Sequence, residues 1–149
     1  MVVPVLGFGD AGGVKMCSEE QANEMYRLAL AQGLAGAEQL ADTAKVMRNC
    51  NGIGAEWFAP WLRWLICKLH PTLVPTSFLH DLAYAAGGGW RDRWRADWVW
   101  LCNGWRAAKT YAWCNVRRYV VQAQALFFWC LLRIGGHAAF AWSKEAGNV

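Results

Sequence analysis

Apolar residues recur at intervals of three and four along most of the sequence, and this spacing is the feature that most limits the fold. Positions 22, 25, 26 and 29, which are Ala, Met, Tyr and Ala, show it clearly. Residues so spaced share one face of an α-helix and can be buried together. No segment shows the strict alternation of a half-buried strand. The sequence therefore predicts an all-α fold.

Capping and breaking residues divide this fold into helices. Ser18 followed by Gln21 is a capping-box pattern, which predicts a helix from there to about Met47, broken or kinked at Gly33 and Gly36. Further helices are expected over residues 56–70, 78–86, 90–102 and 109–134, with an extended stretch between Pro71 and Pro75 and an interruption at Asn103-Gly104.

The length of 149 residues fits a single domain spanning 1–149 that can bury a core without disulfides. Residues 1–16, rich in Gly and Val, are expected to form an extended N-terminal arm. The chain starts without the basic and apolar regions of a secretory signal, and no apolar run reaches the roughly 18 residues of a membrane span. A cytoplasmic or virion-associated location is therefore favoured over classical secretion.

The six cysteines form no CxxC pair and no zinc-ligand pattern with histidine. In a chain that is not exported, most of them are expected to be reduced and buried. Export by another route would leave several disulfide pairings open, and their spacing does not choose among them.

Eleven tryptophans stand out in the composition. Those at 90, 94, 98 and 105 have helical spacing, and core positions are favoured for them over a lipid-binding surface. The segment between Trp90 and Arg118 also holds seven cations against two anions. A solvated helix face is the favoured interpretation of this segment, with anionic lipid headgroups or nucleic acid phosphates as alternatives.

A histidine, a tyrosine and an aspartate can meet in the stretch of residues 77–100. His80 and Tyr84 are four residues apart and share a helix face. The three glycines at 87–89 allow the chain to reverse, so that Asp97 on the returning, antiparallel helix lies beside both. Its carboxylate could accept the imidazole N–H, fix the tautomer and stabilise the cation formed in turnover, with Tyr84 orienting it.

Asp81 follows His80 on an otherwise apolar helix and therefore needs a polar partner. The glycine-rich segment CNGIG at residues 50–54 offers main-chain oxygens, which calcium binds well. One interpretation is a Ca²⁺ ion held by the Asp81 carboxylate and the carbonyls of Cys50, Gly52 and Gly54. The alternative is an ordinary tight loop without a metal.

These motifs together resemble the secreted and viral phospholipase A2 group. The resemblance rests on HDxxY at residues 80–84, the glycine turn, Ala96-Asp97 followed by an aromatic residue, and C-x-G-x-G at 50–54. It covers residues 50–100, about a third of the chain. The chain has no cysteine directly before the His-Asp pair and no evident disulfide framework, which is more similar to bacterial, phage or viral members.

The resemblance implies a small helical domain that hydrolyses the sn-2 ester of a glycerophospholipid with Ca²⁺ as cofactor. His80 would be the general base, supported by Asp97 and Tyr84, and the amide of Gly52 would help to hold the oxyanion. A phospholipid or membrane surface would be the partner.

Two other functions stay open. One is a catalytically silent structural or assembly protein of a phage or virus particle, in which tryptophan-rich surfaces contact other copies or virion proteins. The other is a nucleic-acid-binding module, which the arginines permit but no known motif supports. An active esterase is the favoured hypothesis among the three.

Overall fold

A computed structural model describes residues 17–50 and 60–142, apart from the side chains of residues 60, 62 and 63. These ranges are mostly helical and contain no β-strand, which confirms the all-α class. The predicted arm at residues 1–16 lies outside the described residues. The helices are α1 (Glu19–Ala31), α2 (Thr43–Asn49), α3 (Pro60–Leu69), α4 (Val74–Ala86), α5 (Trp90–Ala108) and α6 (Val116–Gly135), with short 3-10 helices at Ala37–Ala41 and Pro71–Leu73.

The first predicted helix starts as expected, and it is broken at the two glycines where a break or kink was expected. Ser18 and Gln21 form the reciprocal capping box, each accepting the other's backbone N–H. The chain then leaves the helix at Gly33 and Gly36, whose φ angles of 62° and 83° favour glycine. The break expected at Gly33 and Gly36 is therefore confirmed, because these two left-handed glycines divide the segment into α1, a 3-10 helix and α2.

Helix α4 begins earlier than the sequence suggested. The extended conformation expected up to Pro75 is wrong, since Pro75 lies in the first turn of α4. Proline is tolerated there because the first turn has no intrahelical acceptor for its missing N–H. Every residue from Val74 to His80 is buried, which makes α4 the central helix, packed against α1, α2 and α5.

The interruption expected at Asn103-Gly104 does not occur, because α5 continues through both residues. The Asn103 amide accepts the N–H of Ala35 at 2.8 Å and donates to its carbonyl at 3.0 Å, so this buried side chain fixes the loop after α1. A Cβ at Gly104 would lie 2.5 Å from the Cβ of Ala125. Glycine is therefore used here for a close crossing of α5 and α6, rather than for a break.

Helix α6 starts later than predicted, after an Asn115 side chain that accepts the Arg117 N–H at 2.9 Å. Only Val121 and Ala125 of this helix are buried. Large apolar side chains are exposed along most of its length, including Val116, Phe127 and Ile134. None of the described helices has the length and apolar character needed to cross a bilayer.

The favoured core placement of the α5 tryptophans is also wrong. Trp90, Trp94, Trp98 and Trp105 are between 45% and 66% exposed. The buried face of α5 instead carries Ala96, Asp97 and Trp100, which point towards α4 and α6. Residues on the buried face and on the exposed face of a helix both recur every three or four positions, so this spacing alone does not show which face is buried.

We expect Gly104→Ala to destabilise the protein by about 1–3 kcal/mol, because the added methyl group would push α5 and α6 apart at Ala125. Gly135→Ala is the matched control, since a Cβ there meets nothing within 4 Å. Urea denaturation followed by circular dichroism would measure both. Equal stability of the two variants would contradict the close crossing.

Candidate active site

The Asp97 carboxylate is the centre of the site, and it is fully buried. Its Oδ1 lies 3.0 Å from His80 Nε2 and accepts the Tyr84 hydroxyl at 2.6 Å. Its Oδ2 accepts from Arg133 Nη1, also at 2.6 Å. A buried charge is costly unless it is paired and hydrogen-bonded, and here one carboxylate has partners on two neighbouring helices.

The geometry of α4 and α5 brings Asp97, His80 and Tyr84 together. His80 and Tyr84 lie one turn apart on α4, and their rings are 3.9 Å apart between centroids. Gly87, with a φ of 69°, ends α4, and α5 begins three residues later at Trp90. His80 lies seven residues before this turn and Asp97 eight residues after Gly89, so the returning helix brings them side by side.

Arg133 is a site residue that the sequence analysis missed. It lies 36 positions after Asp97, near the end of α6. No sequence pattern links two residues at that distance, so the pairing with Asp97 could not be predicted. Its side chain keeps 32% of its surface exposed, so the cation reaches the buried carboxylate from the edge of the protein.

Arg93 is one of the seven cations between Trp90 and Arg118, and the solvated helix face favoured for that segment is wrong for this residue, because it is buried. Its Nη2 donates to the carbonyls of Leu132 and Arg133 at 2.9 and 3.0 Å. These carbonyls end α6, where the helix dipole is negative and a cation is favourable. Arg93 therefore fixes the backbone that carries Arg133, and so it positions the partner of Asp97.

The segment after α6 packs around Tyr84. Phe140 meets the Tyr84 ring edge-on, with centroids 5.2 Å apart. Gly136 lies so close that a Cβ there would be 2.5 Å from the Tyr84 hydroxyl. The Ala141 N–H donates to the Tyr84 carbonyl at 3.2 Å, and the Ala141 carbonyl accepts the Gly88 N–H at 3.0 Å. Together these contacts fix the hydroxyl that holds Asp97.

Burial and hydrogen bonding act in opposite directions on the titration of Asp97 and His80. Burial raises the pKa of Asp97, but hydrogen bonds from His80, Tyr84 and Arg133 outweigh it, and the pKa lies below its usual value. Burial lowers the pKa of His80 by more than the hydrogen bond to Asp97 raises it. At neutral pH the pair is therefore an ionised carboxylate and a neutral imidazole.

This protonation state determines the histidine tautomer. An ionised carboxylate only accepts hydrogen bonds, so His80 Nε2 carries the proton that Asp97 Oδ1 receives. Nδ1 then holds the lone pair of the neutral ring. A proton taken at Nδ1 would create an imidazolium against the Asp97 charge, which is the arrangement of a general base with a supporting carboxylate.

Asp81 and Cys50 lie near each other at α4. The Cys50 thiol is buried and donates to the Phe78 carbonyl at 3.3 Å, two residues before His80. Burial raises the pKa of Cys50, and the charge of Asp81 raises it further. Cys50 itself is thus held against α4.

The remaining residues expected to bind metal, Gly52 and Gly54, lie outside the described residues. Within the described ranges, no group of three or more His, Cys, Asp or Glu side chains forms a metal cluster. The predicted calcium site depends mainly on main-chain oxygens, so this observation does not test it.

The depressed pKa of His80 predicts how stability depends on pH. The unfolded chain binds a proton near pH 6.5, while the folded chain does so only at lower pH. The contribution of neutral His80 to the free energy of unfolding should therefore be fully present above pH 6.5. Below that pH it should fall, by at most about 1.4 kcal/mol per pH unit for this one group. The lowered pKa of Asp97 adds a second loss only below pH 3.8.

Urea denaturation across this range would measure the slope in wild type and in His80→Gln, where we expect it to shrink. His137→Gln, which changes an exposed histidine, is the control and should keep the wild-type slope. A wild-type slope in His80→Gln would contradict the depressed pKa.

No protein-family model matches the chain, and neither the curated proteins nor the solved structures include a match to it.

Proposed function

We propose that this protein hydrolyses an acyl ester of a glycerophospholipid, with His80 as the general base, in the manner of phospholipase A2-like enzymes. The observation that carries the proposal is the Asp97 carboxylate held between His80 Nε2 and the Tyr84 hydroxyl. A core histidine without a chemical role needs one satisfied hydrogen bond. Here the partner in that hydrogen bond is a fully buried carboxylate that itself needs three donors, and burying that charge costs desolvation free energy. This cost favours a functional role for His80.

The chemistry proposed for His80 is proton transfer through a water molecule. Nδ1 takes a proton from the water, whose oxygen attacks the ester carbonyl carbon. The resulting imidazolium is stabilised by Asp97, and it returns the proton to the leaving alcohol oxygen as the ester C–O bond breaks. Such general-base assistance contributes about 10²–10⁴-fold. The His80 side chain keeps 5% of its surface exposed.

Tyr84 and Arg133 would keep the Asp97 carboxylate in one orientation during this transfer. Their donors occupy the two carboxylate oxygens from opposite helices. With both oxygens held, His80 retains one tautomer, which is the condition for Nδ1 to act as base.

Calcium is the proposed cofactor, held by Asp81 and by the carbonyls of Cys50, Gly52 and Gly54. The support for this proposal is that Cys50 is held on α4 by a hydrogen bond from its thiol to the Phe78 carbonyl, and that Asp81 is near enough for its charge to raise the pKa of the Cys50 thiol. When bound, Ca²⁺ would supply positive charge to the substrate phosphate and to the developing oxyanion. The Gly52 amide is proposed to assist at the oxyanion.

An assembly protein without activity is the second candidate. It is favoured by α6, whose outer face exposes apolar residues at spacings of four and three, namely Val116, Val120, Ala123, Phe127, Cys130 and Ile134. Such a stripe suits a partner helix from another copy or from a virion protein. A regular oligomer in solution together with no ester hydrolysis would favour this candidate.

We expect His80→Gln to abolish calcium-dependent release of fatty acid from mixed micelles while preserving the helical content. The reason is that glutamine cannot take the proton from water. His137→Gln is the control and should retain activity. Fatty-acid release at the wild-type rate from His80→Gln would remove His80 from the mechanism.

We expect Asp81→Asn to weaken calcium binding at least tenfold, because it removes the one charged ligand of the proposed site. Isothermal titration calorimetry would measure the affinity directly, without relying on turnover. Glu38→Gln removes an exposed carboxylate far along the chain and should leave the affinity unchanged. Equal calcium affinities in these two variants would refute the metal role of Asp81.

A further inference from the structure

Four tryptophans form one exposed stripe along α5. They are spaced by four, four and seven residues, so they follow one face of the helix over about four turns. The indoles of Trp94 and Trp98 are stacked, with centroids 5.6 Å apart and planes within 10°. Exposed aromatic surface of this extent is costly in water and marks a contact surface.

Cations lie beside this stripe on the same exposed side of the helix: Arg91, Arg95, Arg106 and Lys109. The guanidinium of Arg91 sits over the Trp90 ring, 5.6 Å from its centroid. The exposed acid of α5 is Asp92, which accepts the Gly89 N–H at the start of the helix. From Trp98 to Trp142 the sequence has no Asp or Glu at all. We call these tryptophans and cations together the Trp–Arg face.

We propose that the Trp–Arg face docks on a bilayer that contains anionic phospholipid. Indole rings partition to the headgroup level of a membrane, because there the apolar part of the ring can contact lipid while its N–H stays in contact with water. Each Lys or Arg close to an anionic membrane contributes about a fivefold gain in affinity. The inference rests on the proposed function and extends it, since it assigns the surface that would hold the enzyme on its aggregated substrate.

The charge of the face argues against the other occupants. A symmetric contact between two copies would set arginines against arginines, which is repulsive. Single-stranded nucleic acid stacks its bases on open aromatic ring faces, and the stacking of Trp94 on Trp98 leaves each of these two rings only one face for a base. A bilayer uses the edges of the rings together with the positive charge, and both are available here.

Co-sedimentation of the full-length chain with vesicles tests the docking, with chelator present so that calcium cannot bridge the protein to lipid. We expect binding to phosphatidylcholine vesicles that contain phosphatidylserine, weaker binding to phosphatidylcholine alone, and a steep loss with salt. Arg91→Gln/Arg95→Gln should weaken binding about 25-fold, the product of two fivefold losses. The matched control is Arg27→Gln/Arg48→Gln, which removes two exposed cations from α1 and α2 and should change binding little.

A second variant, Trp94→Ala/Trp98→Ala, separates docking from hydrolysis. It should lose vesicle binding and vesicle hydrolysis but hydrolyse a short-chain, monomeric phospholipid like wild type. If wild type hydrolyses no monomeric lipid while the arginine variant still loses vesicle binding, the docking surface stands and the proposed activity falls.

Three results would overturn the docking proposal. They are equal vesicle binding by the arginine variant and its control, full vesicle binding by the tryptophan variant, and binding of a single-stranded oligonucleotide with no binding to anionic vesicles. Circular dichroism of each variant would verify the helical fold, which substitutions at exposed positions are expected to preserve.

Discussion

The burial of one carboxylate organises this protein. Asp97 is removed from water, and its charge is compensated only because His80 and Tyr84 on α4 and Arg133 on α6 all donate to it. Losing one partner of such a buried pair typically costs about 3–5 kcal/mol, with a smaller effect expected for the partly exposed Arg133. Three helices are therefore joined at a single polar point inside an apolar interior.

The same interaction gives His80 its chemical character. An imidazole buried among Tyr84 and Trp100 loses its charge, since burial lowers its pKa. The adjacent carboxylate then sets which nitrogen carries the proton. The stability of the core and the basicity of the ring thus depend on the same contact, and a change at Asp97 would affect both.

Sequence reasoning reached the parts of the site that are local in the chain. His80 and Tyr84 follow from helical periodicity, and Asp97 follows from the glycine turn, which places it on the returning antiparallel helix. Arg133 did not follow, because it comes from a helix 36 residues away and nothing in its neighbourhood encodes the contact. The helix break predicted at Asn103-Gly104 was wrong for a tertiary reason. The Asn103 side chain hydrogen-bonds to the Ala35 backbone, and Gly104 leaves room for Ala125 of α6, and neither contact can be read from the local sequence.

The position of α6 has a consequence for local opening. Val121 and Ala125 of this helix are buried, and Phe128, Trp129 and Leu132 also pack against the core, so its detachment breaks an apolar contact as well as the ion pair between Arg133 and Asp97. When α6 leaves, it takes Arg133 with it, and Asp97 loses one of the donors that lower its pKa. Protonation of Asp97 removes the negative charge that Arg133 pairs with, so acid weakens the contact that holds the end of α6. Amide hydrogen exchange along α6 is thereby coupled to the protonation of a carboxylate on another helix.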